Sequence, residues 1–178
     1  MIRKIVVALD GSAEASRALD LAIELAASFK ARLILVHVMS DRALTDGERE
    51  LARNEYHDDL QQDTLSMPML VALTSPTSGS SDRLIQASHE IDLTIRTAIG
   101  RGVISQAEQR ARDAQLSSIS SILRDGHPTD VLLSIAREEK PDLLVMGKRG
   151  LGGFQRLLLG SVSGGVSCSA ECSVLTVR

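Results

Sequence analysis

Two apolar runs at the start of the chain are separated by a helical pattern. Residues 2–9 are rich in β-branched side chains and end at the turn-forming sequence Asp10-Gly11-Ser12. From Ala15 to Ala26 apolar residues recur at helical spacing, with Ser12 as the candidate N-cap. Residues 33–39 are almost entirely apolar, as in parallel-sheet strands covered on both faces. The first forty residues therefore predict a βαβ unit.

The same alternation returns after residue 116. Residues 117–123 predict a strand with some polar positions, placed near a sheet edge, and Gly126-His127-Pro128 predicts a break followed by a helix with Pro128 at N1. Residues 143–146 predict a fourth strand, 160–170 a helix and 173–177 a final strand. The whole pattern predicts an α/β fold: a doubly wound, five-stranded parallel sheet flanked by helices.

The middle of the chain follows a weaker pattern. Residues 48–65 are charged and compatible with a helix, 69–73 form a short apolar run, and 74–81 have the composition of a linker or exposed loop. Residues 82–115 predict a helix that Gly100 and Gly102 interrupt. We therefore expect one domain spanning residues 1–178, with a long insertion at about 41–102 after the second strand.

Composition narrows the possible partners. The chain has 178 residues, a formal net charge of −3 and only 2% aromatic residues. Such a chain lacks the basic charge and the aromatic stacking surface of a nucleic-acid-binding protein. No apolar run approaches the roughly 20 residues that a membrane span requires. The two cysteines, Cys168 and Cys172, make neither a disulfide framework nor a metal site. We expect a cytoplasmic protein with no nucleic-acid or membrane partner.

A glycine-rich stretch carries the clearest candidate chemistry. It begins at Gly147 after a predicted buried strand and leads into a predicted helix at Gly160 and Ser161. Glycines let backbone N–H groups approach an anion, and the helix start favours phosphate. Positive charge for a polyphosphate comes from Lys148, Arg149 and Arg156. The stretch is neither a Walker A loop nor a dinucleotide fingerprint, and loop chemistry alone leaves open a connection that only needs tight turns.

The spacing of this stretch resembles that of a known family. Gly147, Gly150, Gly160 and Ser161 match the G-x2-G-x9-G-[ST] signature of ATP-binding universal stress proteins. Segments 5–12, 35–38, 126–128, 141–147 and 172–177 also resemble the strands and turns of that family. The resemblance covers residues 1–40 and about 103–178, and it implies an adenine-nucleotide site at the carboxyl ends of the strands.

The resemblance also implies which residues form that site. It assigns the adenine and ribose to the ends of the first two strands, at Ala8, Leu9, Asp10 and Val38. It assigns the ribose and phosphates to the glycine-rich stretch and the following helix, at Met146, Gly147, Arg149, Gly150, Gly160, Ser161, Val162 and Ser163. Because a carboxylate repels a triphosphate, Asp10 implies an accompanying Mg²⁺ or Mn²⁺, although Asp10 also suits a helix-entry turn.

Three functional hypotheses follow. The first is a nucleotide-binding regulatory protein that signals to an unidentified protein partner and forms a homodimer through the last strand, Ser173–Val177. The second is a slow ATPase in which Asp10 holds metal and Lys148 or Arg149 stabilises phosphoryl charge. The third is a dimeric interaction module that no longer binds nucleotide. Sequence order alone assembles no catalytic constellation.

Three features of the sequence need a separate interpretation. Gly164-Gly165 lies inside a predicted helix at a cost of about 2 kcal/mol in helix propensity. It indicates either close packing or a helix that orders only with ligand. His37, on an apolar strand, is interpreted as a core residue, while His127 lies on a loop that could approach a nucleotide.

Overall fold

The computed structural model describes residues 1–40, 80–150 and 160–178, with residues 80–91 described by their backbone only. The chain divides into two compact units. The first comprises Met1–Asp41 and Val103–Arg178, and the second comprises Arg42–Gly102. All five described strands lie in the first unit, which is therefore the part of the chain that carries the candidate site.

Nine helices and strands make up the described chain. In order they are β1 Lys4–Leu9, α1 Ala13–Phe29, β2 Arg32–Met39, α2 Ser80–Asp113, β3 Ile119–Asp125, α3 Pro128–Glu139, β4 Leu143–Gly147, α4 Ser161–Ser169 and β5 Ser173–Val177. The strands form one sheet in the order β3-β2-β1-β4-β5, and every neighbouring pair is parallel. The predicted fold class is confirmed, and β3 and β5 are the outer strands of this sheet.

The period-two alternation along β1 separates two cores. Ile5, Val7 and Leu9 face one side of the sheet, where they pack with α1 and with the last turns of α2. Val6 faces the opposite side and packs with α3 and α4, including Ile135 and Val166. Both cores consist of aliphatic side chains, so the shape of the sheet is fixed without aromatic anchors.

The strand order reverses between β1 and β4. From β1 the chain proceeds outward to β2 and β3, then returns to place β4 on the other side of β1. The connections that follow β1 and β4 therefore leave the sheet in different directions. In open parallel sheets such a reversal opens a crevice at the carboxyl ends of the strands, where ligands bind.

The two helix starts predicted from sequence are confirmed. Ser12 has extended backbone angles, and its hydroxyl accepts a hydrogen bond from the Ala15 amide at 3.1 Å. Gly11, just before it, has a φ of +82°, which glycine adopts without strain. Pro128 is the first residue of α3, where its missing N–H costs no helical hydrogen bond.

The predicted interruption of α2 is wrong. Gly100 and Gly102 lie within one continuous helix, Ser80–Asp113. Each glycine costs only about 1 kcal/mol of helix propensity. Ile104, Ala107 and Ala111 follow in the same helix and are buried in the core of the first unit, which outweighs that cost. The possible helix at 48–65 and most of the predicted linker at 74–81 lie outside the described residues.

Gly165 allows α3 and α4 to approach closely. A methyl group built on Gly165 would lie 2.9 Å from the Thr129 Cγ2 atom, closer than two carbons can pack. The glycine within α4 is therefore explained by close packing, the first of the two interpretations left open by the sequence. This contact fixes α4, and with it the start of α4, against the rest of the unit.

We expect Gly165→Ala to lower the free energy of unfolding by about 1–3 kcal/mol, because its methyl overlaps Thr129. Thr129→Ser removes only the clashing Cγ2 atom. In that background alanine should become neutral or stabilising, since its helix propensity exceeds that of glycine by about 1 kcal/mol. A double-mutant cycle measured by urea denaturation checks this coupling. Equal effects of Gly165→Ala in both backgrounds would contradict it.

Candidate functional site

Asp10 and Gly150 meet at the crevice. Asp10 follows β1 and Gly150 lies just beyond β4, yet a side chain at position 150 would overlap the Asp10 Oδ2 atom. The other carboxylate oxygen of Asp10 accepts a hydrogen bond from the Ser12 amide at 2.9 Å. Two residues that were predicted separately as site residues are therefore adjacent, at the point where the strand order reverses.

Gly147 lies tightly against the start of α1. A methyl group at this position would lie 2.9 Å from both the Arg149 carbonyl oxygen and Glu14 Cβ, and 3.0 Å from the Ala15 amide nitrogen. Two of these atoms belong to the backbone and cannot rotate away. Glycine is thus required for β4 to reach the first turn of α1, which brings the two halves of the crevice together.

The backbone N–H and C=O groups of Lys148 join three elements. Its N–H donates to the Val177 carbonyl of β5 at 2.6 Å. Its carbonyl oxygen accepts from the Gly160 amide at 3.0 Å and from the Ser163 hydroxyl at 2.7 Å. Ser163 is 2% exposed, and its hydroxyl also lies 3.2 Å from the Gly160 carbonyl oxygen. The end of β4, the start of α4 and the end of β5 are therefore held at one point.

The start of α4 faces this region without a capping side chain. Gly160 is its N-cap, with φ −66° and ψ 160°, and it supplies no side-chain hydrogen bond. The first helical residue, Ser161, is exposed, and Val162 is half-buried. A helix start of this kind presents backbone donors and the positive end of the helix dipole to an anion.

Basic residues surround the same strand ends. Partial burial and the neighbouring Arg178 and Arg149 lower the pKa of Lys148. Arg149 is exposed, and the Arg17 side chain donates to the Arg178 carbonyl at 2.6 Å. The structure thus brings basic residues from α1, the glycine-rich stretch and the end of β5 close together, with Arg17 also paired to Glu14 at 3.4 Å. This local positive charge suits an anionic ligand. Arg156 lies outside the described residues.

The remaining predicted residues belong to the central strands. Ala8 of β1 pairs with Met146 of β4, and Val38 lies near the end of β2. Leu9 and Met146 are buried in opposite cores, while Ala8 and Val38 are half-buried. Leu9 and Met146 can therefore serve a ligand through their backbone atoms, because their side chains are committed to packing.

His37 is a core residue, as predicted, with a defined partner. Its Nδ1 atom lies 2.9 Å from the Leu9 carbonyl oxygen, next to Asp10 in the chain. Burial lowers the pKa of His37, opposed by the Leu9 bond and the Asp10 charge. The imidazole is therefore neutral near pH 7, with Nδ1–H as the donor. His127 is exposed, with Nδ1 3.6 Å from the Asp130 Oδ2 atom. Its turn is tied to β2 by a bond from the Gly126 amide to the Met39 carbonyl.

This burial predicts a pH dependence of stability. Because the pKa of His37 is lower in the folded than in the unfolded chain, the unfolded chain binds more protons as the pH falls below about 6.5. Stability should therefore decrease toward acid, with a contribution from His37 of at most about 1.4 kcal/mol per pH unit. His37→Asn, which keeps a donor near Leu9, should flatten this slope in urea titrations between pH 7 and pH 5.

The similarity of this chain to known proteins extends over its whole length. A sequence model of the universal stress protein family matches residues 1–178. The chain belongs to this family. Universal stress protein YxiE of Bacillus subtilis is 29% identical over 181 residues, covering 100% of both chains. The match therefore includes residues 41–102, which the signature segments do not cover.

Solved universal stress proteins share this architecture. UspA from Lactobacillus plantarum superposes with a TM-score of 0.70 at 20% identity, covering 99% of this chain and 98% of the other. A universal stress protein crystallised in complex with cAMP gives a TM-score of 0.60 at 26% identity, covering 99% and 97%. The first comparison supports the fold, and the second shows that a relative with this fold accommodates an adenine nucleotide.

The described part of this universal stress protein contains neither a side-chain metal site nor a membrane-spanning helix. In residues 1–40, 80–150 and 160–178, the side chains that the structure describes (all except those of 80–91) form no cluster of three or more His, Cys, Asp or Glu suited to a metal ion. Within the same ranges, no helix has the length and apolar character needed to cross a membrane.

Proposed function

We propose that this universal stress protein binds ATP at the crevice between β1 and β4 and acts as a nucleotide-dependent regulatory protein. The observation that carries the proposal is the meeting of Asp10, Gly150 and the uncapped start of α4 at one point of the sheet. Backbone donors there suit phosphate oxygens, and the nearby basic residues suit more than one phosphate. The relative in complex with cAMP supports the adenine moiety.

The proposed site divides the nucleotide between the two halves of the sheet. The adenine and ribose lie against the ends of β1 and β2, at Ala8, Leu9, Asp10 and Val38. The ribose and phosphates lie against the end of β4 and the start of α4, at Met146, Gly147, Arg149, Gly150, Gly160, Ser161 and Val162. We propose that Mg²⁺ or Mn²⁺ accompanies the phosphates near Asp10, where the cation offsets repulsion between like charges.

Nucleotide content is the direct test of binding. Protein purified without added nucleotide and then denatured should release adenine nucleotide at close to one molecule per chain, identified by mass spectrometry. Protein that is purified without bound nucleotide should instead bind added ATP with Mg²⁺ in calorimetry. A chain that carries no nucleotide and ignores both ATP and Mg²⁺ would favour the interaction-module hypothesis.

Slow hydrolysis is the second candidate, favoured by the position of Asp10 beside the glycine-rich stretch. Under the binding proposal, stoichiometric ATP persists through long incubation with Mg²⁺. Multiple turnovers that Asp10→Ala abolishes would establish the ATPase instead. Lys148→Ala tests the other proposed catalytic charge, since its loss should slow turnover only if hydrolysis occurs at this site.

We further propose a cytoplasmic homodimer that pairs through β5. This strand lies at the edge of the described sheet, and its apolar residues Val174, Leu175 and Val177 are only half-buried in one chain. Pairing two copies would cover both edges. Sedimentation equilibrium should give twice the chain mass, and Leu175→Lys should shift the protein toward monomer.

A further inference from the structure

We propose that Ser163 is a positioning residue, which holds the start of α4 against the end of β4 through the Lys148 carbonyl instead of touching the phosphates. The role deepens the proposed function, because it concerns how the same ATP site is kept in shape. It differs from the role that the family resemblance implied for Ser163. Three observations support it: the burial of Ser163, the partners of its hydroxyl and the convergence of bonds on Lys148.

Burial and hydrogen bonding commit the Ser163 hydroxyl to the protein. The residue is 2% exposed, whereas Ser161, Ser167 and Ser169 of the same helix are exposed. The single hydroxyl proton is directed at the Lys148 carbonyl at 2.7 Å. An ionised phosphate offers acceptors and needs donors, so a hydroxyl whose proton is already engaged has little to contribute to it.

The Lys148 carbonyl is where this hydroxyl takes effect. It accepts from Ser163 and from the Gly160 amide, which lie on the far side of residues 151–159 from Lys148. We name the Lys148–Gly160–Ser163 arrangement the clasp. A methyl group on Gly160 would lie 3.2 Å from the Lys148 carbonyl oxygen and 3.5 Å from Ser163 Oγ, so the three residues are packed as well as bonded.

The clasp sets the geometry of the phosphate-binding groups before a ligand arrives. It holds the end of β4, which carries Gly147 and leads to Gly150, at a fixed distance from the start of α4. Preformed donors bind an anion more tightly than donors that must first be ordered. Removal of the Ser163 hydroxyl should therefore loosen the nucleotide-free site and weaken ATP binding by about tenfold, the value of one ordinary hydrogen bond.

The test compares Ser163→Ala with Ser163→Thr in the full-length chain. Thr retains a hydroxyl that can donate to the Lys148 carbonyl, so it should restore what Ala loses. The readout is amide hydrogen exchange without nucleotide, followed by ATP calorimetry. In Ser163→Ala the Gly160 amide should exchange at least about 10-fold faster. The Lys148 amide, bonded to Val177 on the other side, should keep its protection. Ser167→Ala, at an exposed position of the same helix, is the matched control and should change neither.

Two other results for Ser163→Ala would overturn the clasp. Unchanged Gly160 exchange in Ser163→Ala, with or without weaker ATP binding, overturns the clasp, and weaker binding would then indicate direct phosphate contact. A uniform rise across core amides such as Val6 and Val145 also overturns it, because Ser163 would then support the fold in general. If wild-type protein ignores ATP, the proposed function fails, whereas faster Gly160 exchange in Ser163→Ala still supports the clasp as a structural device.

Discussion

Replacing Gly150 with valine should weaken ATP binding by at least about 100-fold, equivalent to about 2.7 kcal/mol, while the sheet remains folded. A side chain at position 150 overlaps the Asp10 Oδ2 atom, so the Asp10 carboxylate must turn away from its place beside the first residues of the glycine-rich stretch. Gly150 is exposed and belongs to neither core, so this movement leaves the packing of the sheet unchanged. Calorimetry with ATP and Mg²⁺ measures the loss, and circular dichroism with thermal unfolding establishes that the fold is kept.

Side chains of increasing size at position 150 make this test more specific. Gly150→Ala should already weaken binding, because the overlap begins at Cβ, and Gly150→Val should weaken it further. Ser167→Val, at an exposed position on α4, is the control for adding the same side chain elsewhere. A folded Gly150→Val protein that binds ATP like the wild type would show that the site lies elsewhere.

Gly147→Ala should lower both stability and binding. Its methyl group meets the Arg149 carbonyl and the first turn of α1, where backbone atoms cannot yield by side-chain rotation. We expect a loss of about 1–3 kcal/mol in the free energy of unfolding, the usual range for overpacking. ATP affinity should fall as well, since β4 and α1 must separate at the crevice. Urea denaturation and calorimetry of the same preparation measure the two effects.

Gly160 allows the destabilisation caused by an added methyl group to be compared between two glycines of the stretch. At Gly160 the nearest atom to an added methyl is 3.2 Å away, compared with 2.9 Å at Gly147, so Gly160→Ala should be less destabilising. Loss of glycine at the N-cap adds only a modest cost for alanine. The reverse order of the two variants would mean that the contact between β4 and α1 is not rigid.

The regular part of the fold could be predicted because short-range patterns determine it. Apolar runs located the five strands, and β5 was placed at the residues where it occurs. Ser12 and Pro128 located two helix starts through local backbone chemistry. The break predicted in α2 does not occur, because contacts distant in the sequence outweigh the local preference. A local propensity cost of about 1 kcal/mol per glycine yields to the burial of apolar residues further along the helix.

The candidate site was predictable as a set of residues but not as a set of contacts. The signature spacing singled out Gly147, Gly150 and Gly160, and the first strand pointed to Asp10. That Asp10 contacts Gly150 depends on which strands are neighbours, and the sequence pattern does not determine strand order. The burial of Ser163 was equally hidden, because its neighbours Ser161 and Ser167 have the same chemistry and opposite exposure.

The bond from the Lys148 amide to the Val177 carbonyl makes the outermost strand a mechanical support of the site. If β5 separates from β4 at its carboxyl end, this bond breaks while the pairing of β4 with β1 is kept. The glycine-rich stretch then loses one of the contacts that hold its first residues in place. A ligand bound there should in turn hold β5 in the sheet, so that occupancy of the site and integrity of the sheet edge support each other.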